Sequence, residues 1–157
     1  MLDSKIIDIR KRFDGAIGSK LIGYETAELL LSDGTWDAWP DLPIRLRTDC
    51  GHLIAISWSK FDHLWLANDS SLPFSIDDAA IRWASNSIVS INGIIGGTIG
   101  SVQIGRGAMS MEGRDIEIWT RLFIQVGDAW LEIFNALDEN GYLVHSALPT
   151  DNIVPCI

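Results

Sequence analysis

Histidine and cysteine are scarce in this chain, with three His and two Cys among 157 residues. Cys50 and Cys156 lie far apart. Met1 to Asp14 carries neither an apolar h-region nor a small-residue cleavage site. The two thiols therefore read as free, in a cytoplasmic protein, rather than as a disulfide staple. His52, His63 and His145 have no partners at metal-ligand spacing, and Cys50 has no local signature of a Cys-His nucleophile pair. No metal and no cofactor are expected. Gly93 to Gly100 lacks the Lys-Ser/Thr of a phosphate loop, and Asp138 to Gly141 lacks the alternating ligands and closing Glu of a calcium loop. No apolar run approaches the roughly 20 residues that cross a bilayer.

Basic residues are missing from two long stretches. Phe61 to Ile81 holds Asp62, Asp69, Asp77 and Asp78, and Leu122 to Ile157 holds Asp128, Glu132, Asp138, Glu139 and Asp151, with no Lys or Arg in either. These carboxylates equal the whole formal net charge of −9. An acidic field argues against nucleic acid and anionic membranes as partners. It favours a basic protein and speeds the encounter with one. The plainer reading is a solvated acidic surface that keeps the protein soluble.

What is present is apolar and β-forming. Hydrophobic residues make up 47% of the chain and mean hydropathy is +0.17, enough for one domain, residues 1–157, with its own core. Ile116 to Val126 and Ala129 to Asn135 are β-branched and aromatic runs joined by Gly127-Asp128. That order predicts a hairpin whose first turn residue has positive φ. Period 2 puts Ile116, Ile118, Leu122, Ile124 and Val126 on one face, and Trp119 and Phe123 on the other with Glu117, Arg121 and Gln125. Asp138 to Gly141 reads as an acidic turn before a last strand, Tyr142 to Ser146.

Upstream, Leu2 to Phe13 predicts a short helix capped by Asp3 or Ser4, with an N-terminal strand as the alternative. Strands are expected at Leu21–Leu31, Ile44–Arg47, Leu53–Trp58, His63–Ala67 and Asn86–Ile91, with a bent strand in Ile94–Gly107. Ser75 to Trp83 reads as a helical turn, and Leu148 to Ile157 as irregular. Ile22-Gly23 echoes Ile99-Gly100, and the hairpin Leu53 to Asp69 resembles Leu122 to Leu131. This suggests a duplicated β-unit, roughly 20–69 and 97–145, against chance similarity of two hairpins. The fold class that results is mostly β, an antiparallel sandwich or half-open barrel with one or two short helices.

Trp36-Asp37-Ala38-Trp39-Pro40-Asp41 sets two Trp beside two Asp where prolines place an edge or loop. Aromatic anchors beside acids suit a basic partner, unless both rings fold inward. The same edge could pair with a second copy. The candidate partner-binding residues are Trp36, Asp37, Trp39, Asp41, Asp62, Asp69, Asp138 and Glu139.

The stretch from Gly127-Asp128-Ala129-Trp130 through Asp138-Glu139-Asn140-Gly141 resembles the end of small bacterial immunity proteins encoded beside polymorphic toxins. The resemblance implies a non-enzymatic cytoplasmic antidote that binds and blocks its cognate toxin. A basic toxin, such as a nuclease, would find in these carboxylates a substitute for phosphate. The alternative is a small-ligand or carbohydrate-binding β-domain with Trp residues lining a groove. Carboxylate chemistry on a pair such as Asp128 and Asp138 is a third reading.

Overall fold

Ile6, Ile9 and Phe13 recur at helical spacing, and Leu2–Phe13 is helix α1 in the computed structural model, which describes residues 1–149 and 151–157. Ile9 and Phe13 are fully buried on its inner face. The helix starts at Leu2, so Asp3 and Ser4 lie inside the first turn instead of capping it.

Two antiparallel sheets follow, packed face to face over one core. The first contains β1 (Leu21–Leu30), β2 (Trp36–Ala38), β3 (Ile44–Thr48), β4 (Leu53–Ser59), β5 (His63–Ala67) and β6 (Ile81–Ser85). Strands β1, β3, β4 and β5 form a meander, β6 returns to pair with β1, and the short β2 pairs with the end of β1. A helical turn α2 (Val89–Asn92) leads to the second sheet: β7 (Ile99–Gly107), β10 (Ile118–Val126), β11 (Ala129–Asn135), β12 (Asn140–His145) and β13 (Ile153–Pro155). Between β7 and β10 a small hairpin projects, β8 (Ser110–Met111) with β9 (Arg114–Asp115). Alternate residues Ile54, Ile56, Trp58, Leu122, Ile124, Leu131 and Ile133 fill the space between the sheets. The architecture is the β-sandwich of the expected fold class, and not a closed barrel.

The two sheets share one connectivity. Each is a four-strand meander whose fifth strand returns to pair with the first. A shift of 78 positions, as from Gly18 to Gly96, relates them through β3 and β10. Leu21 faces Thr48 and Tyr24 faces Leu46; correspondingly, Ile99 faces Val126 and Val102 faces Ile124. Three residues on one strand thus span two on its partner in both sheets, so the same bulge sits at Ile22-Gly23 and at Gly100-Ser101. The segments before β1 and β7 cross each other reciprocally: Gly18 N–H donates to Ile99 O and Gly96 N–H to Leu21 O, at 2.8 and 2.7 Å. Gly18 and Gly96 both have positive φ, +87° and +97°, which a Cβ would oppose. Matching the sheets by connectivity aligns β4 and β5 with β11 and β12. The likeness of Leu53–Asp69 to Leu122–Leu131 is therefore one strand out of step.

Other expectations need correction. Residues 75–80 are not helical; Ile81 and Trp83, alternating with Arg82, continue as β6 against β1. Asn86 to Ile91 is not a strand. Asn86 turns to φ +52°, its carboxamide oxygen accepts the Tyr24 N–H at 3.1 Å, and α2 begins three residues later. In the tail, Ile153–Pro155 is paired as edge strand β13. A second bulge, between Trp119 and Arg121, turns Trp119 onto the core and away from the face of Phe123. Gly127 has φ +61° in the β10–β11 turn, as its position before Asp128 predicts.

Candidate functional site

The β4–β5 turn and the β11–β12 turn occupy equivalent places in the two sheets, and they meet. Asn135 Nδ2 donates to Ser59 O at 2.9 Å and also to Phe61 O. In return Phe61 N–H donates to the Asp138 carboxylate at 3.1 Å. Both turns carry a bulky apolar residue in the left-handed region: Phe61 at φ +59° and Leu137 at φ +58°. Each such residue costs roughly 1–2 kcal/mol of backbone strain. Both side chains nevertheless face solvent, Phe61 at 66% and Leu137 at 98% exposure. Leu137 and Asp138 (φ +69°) are the two central residues of a hairpin turn closed by Ala136 N–H to Glu139 O at 2.7 Å. Asn or Gly is the usual first residue there.

These two residues stand at the lip of a cleft of about 520 Å³. Its walls come from Gly107 at the end of β7 and Ala108 and Met109 after it, from Ile118, Thr120 and Arg121 of β10, and from Phe134 and Asn135 of β11. Its floor is polar. Glu132 is 2% exposed and its carboxylate is fully engaged. Arg121 donates from Nε to Oε2 at 2.8 Å and from Nη2 to Oε1 at 3.2 Å, and His145 Nε2 lies 2.8 Å from Oε1. Such a bidentate pair is the strong form of the contact, and it stiffens the sheet beneath the cleft. Lys60 and Asp138 put one charge of each sign at the mouth.

The sequence-selected residues divide into separate groups. Asp138 lines the cleft, with Glu139 next to it in the same turn. Asp62 adjoins Phe61 but is committed to Lys5, whose ammonium lies 3.0 Å away and also donates to Trp119 O at 2.9 Å. Burial pushes the Lys5 pKa down, against the opposing pull of Asp62. Asp41 is exposed, and its carbonyl accepts the Ser57 hydroxyl at 3.1 Å; neighbouring Pro40 O accepts Asn140 N–H, which ties this loop to the β11–β12 turn. Trp36 is half-buried under the Arg82 guanidinium, 4.5 Å from its ring, and Arg82 also pairs with Glu28. Asp37 is exposed and accepts its neighbour's Ala38 N–H. Trp39 packs edge-on against Phe74, 6.1 Å between centroids, and lines a smaller cavity of about 210 Å³. Asp69 lies beyond the other end of β5. There the Ser71 hydroxyl and N–H bond its carboxylate and hold its pKa below the usual range.

Sequence reasoning missed Phe61, Leu137, Arg121, Glu132 and Phe134. The available signal was an apolar residue at the centre of a tight acidic turn, Lys60-Phe61-Asp62 and Leu137-Asp138, where turn chemistry asks for a polar residue or Gly. Among the described residues no three His, Cys, Asp or Glu side chains stand close enough to hold a metal ion, and no helix is long and apolar enough to cross a membrane. No family model, no curated protein and no solved structure matches the chain.

Proposed function

We propose that this is a non-enzymatic binding protein, an immunity protein that docks onto a basic toxin domain through the lip and walls of the cleft. One observation carries the reading. Phe61 and Leu137 are both held outward at a backbone cost, at the lip of a cleft with apolar walls that Asp138 lines and Glu139 adjoins. Exposed apolar anchors next to a concave apolar surface are the usual core of a protein interface, and the acidic rim supplies steering. Asp138 and Glu139 stay in the contact set, and Phe61 and Leu137 join it. Asp62, paired with Lys5, adds no free carboxylate to the rim. The cytoplasm is the compartment this role requires.

The test is rescue. The reading frame beside this gene is expressed with and without the chain. Growth restored by the wild type and lost with Phe61→Ala plus Leu137→Ala supports the reading. A harmless neighbour that forms no complex refutes it.

The volume of the cleft also fits a small ligand, since such sites run from about 300 to 1,000 Å³. Its aromatic lining is Phe61 and Phe134, however, so a Trp-lined carbohydrate groove is not what this geometry favours. A saturable thermal shift from a small apolar molecule, with no protein partner, would turn the assignment to that second reading.

A further inference from the structure

The first half of the molecule closes the part of its outer face that the second half leaves open. Strand pairing sets Ala55 against Glu132, and carrying the same register past the start of β3 sets Ser57 against Phe134 and Leu42 and Pro43 against Thr120 and Arg121. All four counterparts are buried, and Ala55 and Ser57 are 0% and 1% exposed. The covering chain is local. The Asp41 carbonyl sits on the Ser57 hydroxyl, and residues 68–80 run back from β5 to β6 as a strap. Arg45 Nη2 holds the strap by its Ser70 carbonyl at 3.0 Å, Phe74 packs on Trp39, and the Ala80 carbonyl accepts Leu30 N–H at 3.0 Å. The matching connection in the second half, residues 146–152 between β12 and β13, is about half as long. Among the described residues, the strap residues beyond Ser71, with Leu72-Pro73-Phe74, thus have no counterpart in the second half.

We propose that the cleft over β10 and β11 takes an extended segment of the partner protein, an apolar pair flanked by basic residues, in the manner in which the strap and the Asp41 loop cover the first sheet. The proposal rests on the protein-binding reading above and adds the form of the ligand. An extended segment suits the site because the outer-face side chains offer a polar floor of guanidinium and carboxylate between apolar walls. The carboxylate is taken up by Arg121 and His145, so the partly exposed Arg121 guanidinium is the group that donates to backbone carbonyls, while Phe61, Phe134 and Leu137 meet side chains. Basic flanks follow from charge: Arg121 and Glu132 neutralise each other, and the carboxylates left at this end are Asp138, which lines the cleft, and Glu139, next to it in the turn, against Lys60. Lys60 stands at the same lip as Asp138, whose carboxylate accepts the N–H of the next residue, Phe61.

The test uses the full chain, labelled for amide NMR, and two hexapeptides built on the strap's apolar core: Lys-Ser-Leu-Pro-Phe-Lys and the same peptide with Glu in place of both Lys. The expected result is saturable shifts at Phe61, Thr120, Phe134 and Leu137 with the Lys peptide. Binding of the Glu peptide should be at least about tenfold weaker, the difference a like-charge contact makes. Leu137→Gly, which removes an exposed side chain without opening the core, should weaken the Lys peptide by a similar factor; its intact spectrum reports that the fold survives. Shifts confined to residues 68–80 would mean that the peptide displaces the strap, and would overturn the proposal. So would equal binding of the two peptides, or no shift at millimolar peptide. If rescue by the wild-type chain persists after such a failure, only this mode of docking falls; if rescue fails as well, the protein-binding reading falls with it.

Discussion

Replacing Asn140 with Ala should be among the most damaging single changes outside the apolar core. The residue is 4% exposed and bridges the sheets. Its side-chain oxygen accepts Trp58 N–H at 2.8 Å, and Nδ2 donates to Ile56 O at 2.9 Å and to the Tyr142 hydroxyl at 3.2 Å. The reason for this need lies in β3. That strand begins at Ile44, opposite Ile56, and Pro43 precedes it, so β4 runs on past its neighbour with backbone groups unpaired. Asn140, reaching across from β12, completes the ladder. Alanine would strand a buried donor and a buried acceptor at about 1–3 kcal/mol each. The expected loss is therefore roughly 2–5 kcal/mol, a large part of a total stability of about 5–15 kcal/mol. Urea unfolding followed by tryptophan fluorescence measures it; with a slope of about 1–3 kcal/mol per molar, the midpoint should fall by about 1–2 M. Asn140→Asp should be no better, because it removes the donor to Ile56 O. A midpoint within about 0.3 M of wild type, with an unchanged slope, would mean that water replaces the carboxamide and that the clamp argument is wrong.

Leu137→Asn should raise stability by up to about 1 kcal/mol, because Asn tolerates the left-handed turn that Leu resists; the same change should weaken partner binding, and a loss of stability would refute the strain assignment. Glu132→Gln should cost about 3 kcal/mol or more by leaving the Arg121 guanidinium without its anion under the cleft, measurable in the same urea assay; a neutral result would show that Arg121 finds solvent instead. A thiol reagent should label one cysteine of the native protein and two of the unfolded one. Cys50 is exposed and the Ser19 and Thr48 hydroxyls draw its pKa down, whereas burial pushes the Cys156 thiol up to about 11. Equal labelling rates would contradict this order. Between the lowered Lys5 pKa and the usual lysine value near 10.5, the unfolded chain binds more protons, so stability contributed by this site rises with pH in that window; the slope should vanish in Lys5→Met and be absent near neutral pH.

Much of the fold was legible because strands with strong alternation announce themselves. Gly127-Asp128 reads correctly as a turn, and the helix at Leu2–Phe13 follows from three apolar positions. The failures have physical causes. Ser75-Ile76-Asp77-Asp78 imitates a helix start, but the chain there is spent on crossing the sheet. Trp119 reads by period 2 onto the wrong face because a bulge adds a residue, and one residue exchanges the faces. The site was harder. Charge alone pointed to Asp62 and Asp69, yet the first is neutralised by Lys5 and the second is folded onto Ser71, both contacts over distances in space or along a turn that composition does not encode. Asp138 was found because it is acidic; Leu137 was passed over because an apolar residue in a turn looks like noise until its φ and exposure are known.

The paired sheets give that residue its meaning. Phe61 and Leu137 stand at equivalent points of equivalent turns, and both hold a conformation that disfavours them. One strained apolar residue in a turn is an accident of packing; two at matched positions, joined by Asn135 and Asp138 across the boundary between the halves, form a unit. The surroundings of the unit differ. On the first sheet small residues, Ala55 and Ser57, let backbone settle directly onto the strand, while on the second Glu132 and Phe134 rise in their place and the connection from β12 to β13 is shorter. On the proposed reading, the face that the first sheet covers with its own strap is left on the second sheet for the partner. Shortening the strap by deleting Leu72 to Phe74 should then open a second cleft over Ala55 and Ser57, lower stability, and leave binding at Phe61 and Leu137 intact. Loss of binding in a deletion variant that remains folded would show that the strap, and not the second sheet, carries the contact.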